Sequence, residues 1–160
     1  MKLNDSLKKV ALLISTIFIQ LNLSATSAPA ASTTPPKTNC NIAVDDPHIS
    51  DSLMRTRGIS AVKINARSRC DKMMNQLVLT VEIYKIGFFH DYRVAFGEVK
   101  VTGTISPNTV VRNQKTFVEC KSSRKSRFYG IAYATALVEG KRKRTLHVLT
   151  EHTLPLPCGT

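Results

Sequence analysis

Apolar residues recur at every second position over most of this chain, and that period predicts strands. Between Val62 and Cys70, the residues Val62, Ile64, Ala66, Ser68 and Cys70 alternate with Lys63, Asn65, Arg67 and Arg69. This is the pattern of a strand with one buried face and one basic, wet face. After a polar turn from Asp71 to Gln76, Leu77, Leu79, Val81 and Ile83 point one way in a second strand that ends before Gly87. A third run, Arg93 to Thr102, changes phase around Gly97: Val94 and Phe96 precede it, and Val99 and Val101 follow it. An isolated glycine at a phase change predicts a β-bulge. Gly103 to Asn108 reads as a loop, and Thr109 to Cys120 as one interrupted strand or two short ones.

Arg127 to Leu137 is the longest predicted strand. Tyr129, Ile131, Tyr133, Thr135 and Leu137 share one face, while Phe128, Gly130, Ala132, Ala134 and Ala136 form a small-residue face over which another layer packs closely. Gly140 to Arg144 predicts a hairpin tip and Thr145 to His152 a returning strand; Cys40 to Val44 adds another, and Ser50 to Thr56 one or two helical turns. About seven short strands separated by Gly, Pro, Asn and Ser turns predict a single antiparallel β-sandwich of immunoglobulin-like type. A small closed β-barrel is the alternative, because periodicity does not separate the two.

The N-terminal segment predicts the compartment. Lys2, Lys8 and Lys9 lead into an apolar run from Val10 to Leu23, and Ala28-Pro29-Ala30 closes a stretch of small residues. Residues 1–30 therefore read as a cleavable secretory signal, cut between Ala25 and Ala31. The run falls short of the roughly 20 apolar residues of a membrane span, which leaves no transmembrane anchor after cleavage. Residues 31–39, only Ala, Ser, Thr, Pro, Lys and Asn, predict a disordered leader, and residues 40–160 one domain. All four cysteines, Cys40, Cys70, Cys120 and Cys158, lie in that domain. No two have the close spacing of a zinc site, and an exported chain oxidises its thiols, so two disulfides are expected. Antiparallel strand order predicts Cys40–Cys70 and Cys120–Cys158. A nested set, Cys70–Cys120 with Cys40–Cys158, is the alternative and would follow the pattern of inter-sheet immunoglobulin bridges.

Charge narrows the partners. The chain has 23 Lys+Arg against 11 Asp+Glu, a net of +12. Removing Lys2, Lys8, Lys9 and Asp5 with the signal leaves 20 against 10, a net of +10. Such a field attracts wall polymers, an acidic membrane surface or nucleic acid, and it also discourages edge-to-edge strand pairing. Lys121, Arg124, Lys125 and Arg127 form one cluster, expected in the loop before the long strand. Lys141, Arg142, Lys143 and Arg144 form a second, expected in the loop after it. A ten-residue strand spans roughly 33 Å, so these clusters belong at opposite ends of the domain. Lys63, Arg67 and Arg69 add a stripe. Charge this spread predicts loose attraction to an anionic wall or surface polymer, with an extracellular protein as the other partner class. Nucleic acid ranks lower, because only Phe128 and Tyr129 adjoin a cluster.

Catalytic signals are sparse. Of His48, His90, His147 and His152, His90 lies in a loop beside the carboxylate of Asp91, and that pair is the only plausible seed of a small secreted hydrolase. His147 and His152 fall on opposite faces of a regular strand. Asp45-Asp46-Pro47-His48 with Asp51 is the densest set of candidate metal ligands, but it lacks the alternation of a calcium loop and reads as a turn. No nucleophile elbow, phosphate loop, paired-histidine zinc motif or dinucleotide glycine pattern is present. The expectation is a non-enzymatic binding module with no catalytic residue, cofactor or metal. An inhibitor of a secreted enzyme would use Lys85 to Tyr92, where Phe88 and Phe89 read as core plugs more readily than as a contact hot spot.

Pro47-His48-Ile49-Ser50, Val81-Glu82-Ile83-Tyr84-Lys85, Arg127-Phe128-Tyr129-Gly130 and the closing Cys158-Gly159-Thr160 together resemble uncharacterised small secreted bacterial proteins. The resemblance spans most of the processed chain and implies a bacterial source, export and a β-fold. It brings no activity, cofactor or ligand.

Overall fold

The period-two segments are strands. The computed structural model describes residues 40–138, 140–145 and 147–160; the expected signal and leader lie outside the described residues. In chain order the elements are β1 (Cys40–Val44), β2 (His48–Ile49), helix α1 (Asp51–Arg57), β3 (Ala61–Lys63), β4 (Ala66–Cys70), β5 (Met74–Lys85) and β6 (Tyr92–Ile105). They continue as β7 (Val110–Asn113), β8 (Phe117–Glu119), β9 (Ser122–Val138), β10 (Lys141–Arg144), β11 (Val148–Leu149) and β12 (Leu154–Gly159). The protein is all-β, and its described pairings are antiparallel. Helix α1 is a two-turn excursion: the Leu53 N–H donates to Ser50 Oγ at its start, and Gly58 ends it at φ 67°.

Among the described residues, twelve strand segments replace the roughly seven expected, in three sheets: β1-β4-β7, β2-β3-β8, and a six-stranded sheet with the path β10-β9-β5-β6, to which β11 and β12 attach at β9. Strand β9 organises the last. One edge pairs with β5 over Phe128–Leu137, and β10, β11 and β12 lie end to end along the other. Thr109 to Cys120 resolves into two short strands, β7 and β8. The run from Val62 to Cys70 is not one strand. It breaks at Ile64-Asn65, where the Ile64 N–H donates to Thr116 O and Asn65 O accepts from the Asp45 N–H. The chain there moves from one small sheet to another while Val62, Ile64, Ala66, Ser68 and Cys70 all stay buried.

One apolar cluster joins the sheets: Ile42, Val62, Ile64, Ala66 and Val111 meet Leu77, Leu79, Val81 and Ile83 of β5 and Phe128, Ala132, Ala134 and Ala136 of β9. The small-residue face of β9 is buried for a packing reason. A side chain at Gly130 would collide with Ile64, and the Gly130 N–H donates to Thr150 Oγ1 at 3.2 Å.

Gly97 is no bulge. The register runs straight through it, Val81 opposite Gly97, and the irregularity falls between Ile83–Ala95 and Tyr84–Arg93, which leaves Val94 as the extra residue. Phe96 consequently faces solvent. Glycine is needed at 97 because a Cβ would strike Thr116. Thr116 donates to buried Asn113, whose Nδ2 reaches Leu79 O at 3.2 Å and Gly97 O at 3.0 Å. Strand β6 also continues through the expected 103–108 loop as far as Ile105.

Antiparallel pairing of β1 with β4 sets Cys40 opposite Cys70, and the two are bridged with Cα atoms 3.8 Å apart. Cys120 and Cys158 form the second bridge, Cα–Cα 4.7 Å; the nested set is not formed. Two closed disulfides fit an oxidising, extracellular-type environment. Among the described residues no helix is long and apolar enough to cross a membrane.

Candidate anion-binding cleft

A length mismatch makes the site. Strand β9 has 17 residues and its neighbour β5 has 12. The β5–β9 ladder ends at Lys85 opposite Phe128, followed by one bond from the Ile86 N–H to Arg127 O at 2.9 Å. Upstream, Ser122 to Arg127 pair only with β12 among the described strands. In an antiparallel ladder alternate residues direct their N–H and C=O to the same side. Since Arg127 O bonds toward β5, Lys125 presents its backbone groups where β5 would have continued. The opposite edge of β12 is closed to pairing, because Pro155 and Pro157 sit opposite Arg127 and Lys125 and have no N–H to offer.

A cleft of about 570 Å³ occupies this overhang, lined by Lys85 and Ile86 of the β5 end, Lys121, Ser122 and Arg124 to Arg127, and Gly159 and Thr160. Its base is rigid. The Cys120–Cys158 bridge ties the β9 start to the β12 end, the Lys121 N–H donates to Gly159 O at 2.7 Å, and Gly159 packs so closely on Ser122 that a Cβ there would collide. Lys85 Nζ donates to Thr160 O at 3.0 Å across the cleft. Five cations thus line it, with no Asp or Glu among the lining residues. In an adjoining hollow of about 390 Å³, Glu119 joins Lys85, Lys121 and Thr160. Among the described residues none of the five cations forms an ion pair with a carboxylate side chain.

Three expectations change here. Lys121 alone precedes β9, while Arg124, Lys125 and Arg127 lie on the strand itself and not in a loop. Nor is the charge merely spread, since this cluster converges on one cleft. The other cluster, Lys141 to Arg144, is also strand and not hairpin tip: β10 pairs with Val138 to Thr135. Arg144 is committed locally. Its guanidinium lies 4.0 Å from the Tyr133 ring centroid, its Nη2 is 2.9 Å from His147 Nε2, and Tyr133 stacks on His147 at 4.7 Å.

That trio belongs to an outer sheet face more aromatic than its sequence suggests. Tyr84 and Tyr129 stack across β5 and β9 at 5.2 Å, and Arg93 lies over Phe96 at 5.6 Å. Glu82 accepts from Tyr84 Oη at 2.8 Å and pairs with Arg93 at 3.2 Å. The bond to Glu82 raises the Tyr84 pKa above its ordinary value. Partial burial and a bond with Asp91 raise that of Tyr129.

The candidate catalytic and metal-binding residues are engaged elsewhere. His90 lies 4.2 Å from the Tyr92 ring, and Asp91 Oδ1 accepts from the Gly87 N–H at 3.3 Å. His147 rests on Tyr133, whereas His152 Nδ1 sits 2.8 Å from Asp46 Oδ2. The His152 backbone N–H also donates to Asp46, and this bond leads in holding the Asp46 carboxyl below its usual range. Asp45 Oδ2 accepts from Asn65, and His48 Nδ1 is 3.1 Å from Asp46 O. Phe88 and Phe89 are not core plugs; both are exposed.

Sequence reading missed Lys85, Gly159 and Thr160 as cleft residues. The available signal was the alternating Pro155 and Pro157, which mark a blocked edge and so direct the neighbouring strand's pairing. No family model matches the chain, and no curated protein matches it.

Proposed function

We propose that this chain is exported and acts outside the cell as a non-enzymatic binding module for an anionic wall or surface polymer. The observation that carries the reading is the convergence of Lys85, Lys121, Arg124, Lys125 and Arg127 on one cleft that no Asp or Glu lines. Guanidinium groups offer paired donors to phosphate, sulfate or carboxylate oxygens, and the free backbone N–H groups of the β9 edge add neutral ones. A non-enzymatic role is supported by the local engagement of His90, Asp91, His147 and His152. A layered, sandwich-like arrangement is the fold reading that goes with it. Its support is the single apolar cluster to which residues of the small sheets and the inner face of the β5–β9 sheet all belong.

The test is retention of the exported, disulfide-intact chain on a polyphosphate or acidic polysaccharide matrix at low and physiological salt. Binding is expected to fall steeply with salt, since exposed charges are screened beyond roughly 8 Å at physiological ionic strength. Arg124→Glu with Lys125→Glu is expected to weaken it on the order of tenfold or more. Retention indifferent to both salt and these substitutions sinks the proposal.

A further inference from the structure

The tip of the β5–β6 hairpin carries Phe88 and Phe89, 94% and 89% exposed. Their ring centroids lie 4.8 Å apart at an interplanar angle of 87°, so each phenyl leans on the other and hardly on the domain. The loop beneath them is braced. A side chain at Gly87 would collide with the His90 carbonyl and the Tyr92 ring. The loop's one acid, Asp91, accepts from the Gly87 N–H. Two wet phenyl rings held out on a braced turn are apolar surface that folding leaves available for a partner.

Position says which partner. The hairpin leaves the sheet where the Ile86 N–H meets Arg127 O, beside the cationic cleft lined by Lys85, Lys121, Arg124, Lys125 and Arg127. We infer that this end of the domain docks on an anionic lipid bilayer. Phe88 and Phe89 enter the boundary between headgroups and acyl chains, and the cleft cations meet lipid phosphates. A protein hot spot sits within a patch whose rim excludes water; a convex two-ring tip has no such rim. A bilayer presents negative charge and apolar depth within a few ångströms of each other, which matches cations set behind protruding rings. Neither signal alone gives durable attachment, and the two together do. The inference rests on the cleft reading above for its anion site and assigns the lipid headgroup as the anion's source.

The chain contains no tryptophan, so Phe88→Trp installs a single fluorescent reporter at the tip. With vesicles of phosphatidylglycerol and phosphatidylcholine, its emission is expected to shift blue and to be quenched by brominated acyl chains. With pure phosphatidylcholine it is expected to stay unchanged. Phe88→Ser with Phe89→Ser should cut sedimentation with the anionic vesicles about tenfold or more, while leaving the melting temperature and retention on the polyanion matrix as they were. Arg124→Glu with Lys125→Glu should reduce both. Emission unmoved by anionic vesicles, or equal sedimentation of the double-serine variant, overturns the bilayer inference. If the matrix still retains the protein, the polymer reading survives that failure. Capture of a soluble protein through Phe88 and Phe89 without vesicle binding likewise overturns it.

Discussion

The two ends of β9 carry similar cations in opposite states of commitment. At the far end, Lys141 to Arg144 are zipped onto Val138 to Thr135, and Arg144 is held by Tyr133 and His147. Arg142 there shares a shallow hollow of about 230 Å³ with Glu98. At the near end, Arg124, Lys125 and Arg127 border an edge with no described strand partner on the β5 side, in a cleft no Asp or Glu lines. Counting charge along the chain makes these ends look alike. Both runs pair on one side only, since β10 is an edge strand; what separates them is what the side chains meet, Tyr133, His147 and Glu98 at the far end and one shared cleft at the near end. The near end is therefore the one to which the proposed binding role is assigned.

The most severe way to break that contrast is to remove the bridge at the base of the cleft. Cys120→Ser with Cys158→Ser opens a loop of sequence separation 38, for which chain entropy alone predicts a loss of about 4 kcal/mol. Removing Cys40–Cys70, separation 30, should cost a similar amount in denaturant titration. Their effects on binding should differ. Where each variant is still folded, polyanion affinity falls with the 120–158 bridge and holds without the 40–70 bridge. Equal affinities in the two variants would mean that cleft geometry does not matter.

Charge reversal sharpens the same contrast. Arg124→Glu with Lys125→Glu should cost about 1.4 kcal/mol of polyanion binding or more, tenfold in affinity. Arg142→Glu with Lys143→Glu should cost about threefold, through the general field alone. Both pairs are exposed, so neither should move the melting temperature much. Equal losses would restore the picture of diffuse attraction.

Strand faces were legible where alternation alone determines them. Val62 to Cys70, Leu77 to Ile83 and the small face of β9 are buried as the period demands, and antiparallel pairing carried the cysteine connectivity with it. The sheet change at Ile64-Asn65 was not legible, because a corner that keeps the phase leaves no mark on alternation. Gly97 misled for a related reason: the glycine answers to Thr116, a partner distant in sequence. Four consecutive cations at Lys141 to Arg144 show no period, so only pairing with β9 makes them a strand. The cleft was hidden because Lys85 reaches Arg124 and Arg127 through register, and register depends on where two strands stop. Exposure of Phe88 and Phe89 likewise follows from hairpin geometry that composition does not encode.

A smaller effect tests the committed end. Arg144→Lys keeps the charge but loses the planar guanidinium that lies over Tyr133 and reaches His147. At an exposed site such stacking contributes about 0.5–1 kcal/mol. A double-mutant cycle with Tyr133→Leu should recover a coupling of that size, with polyanion affinity nearly unchanged. Zero coupling would show Arg144 to be as uncommitted as Arg124, and the contrast between the ends would lose its physical basis.

The smallest expected effect concerns the strap that holds the β11–β12 connection against the β1–β2 loop. Asp46 accepts from the His152 backbone N–H at 3.0 Å and lies 2.8 Å from its ring. Those bonds hold its carboxyl below the ordinary value of 3.8. A carboxyl depressed in the folded state stabilises it fully above the unfolded value, and that contribution is lost as pH falls through the lower folded value. The melting temperature of the parent should therefore decline through this acid window slightly more steeply than that of Asp46→Asn, with the two curves parallel near neutral pH. Asp46 is only half-buried, so the difference is slight, and it should shrink further with added salt. Because β12 forms one wall of the cleft, loosening this strap in acid should weaken polyanion retention before it changes the Arg144–Tyr133 coupling at the other end. Acid curves that coincide for parent and variant would show that the strap does not hold β12.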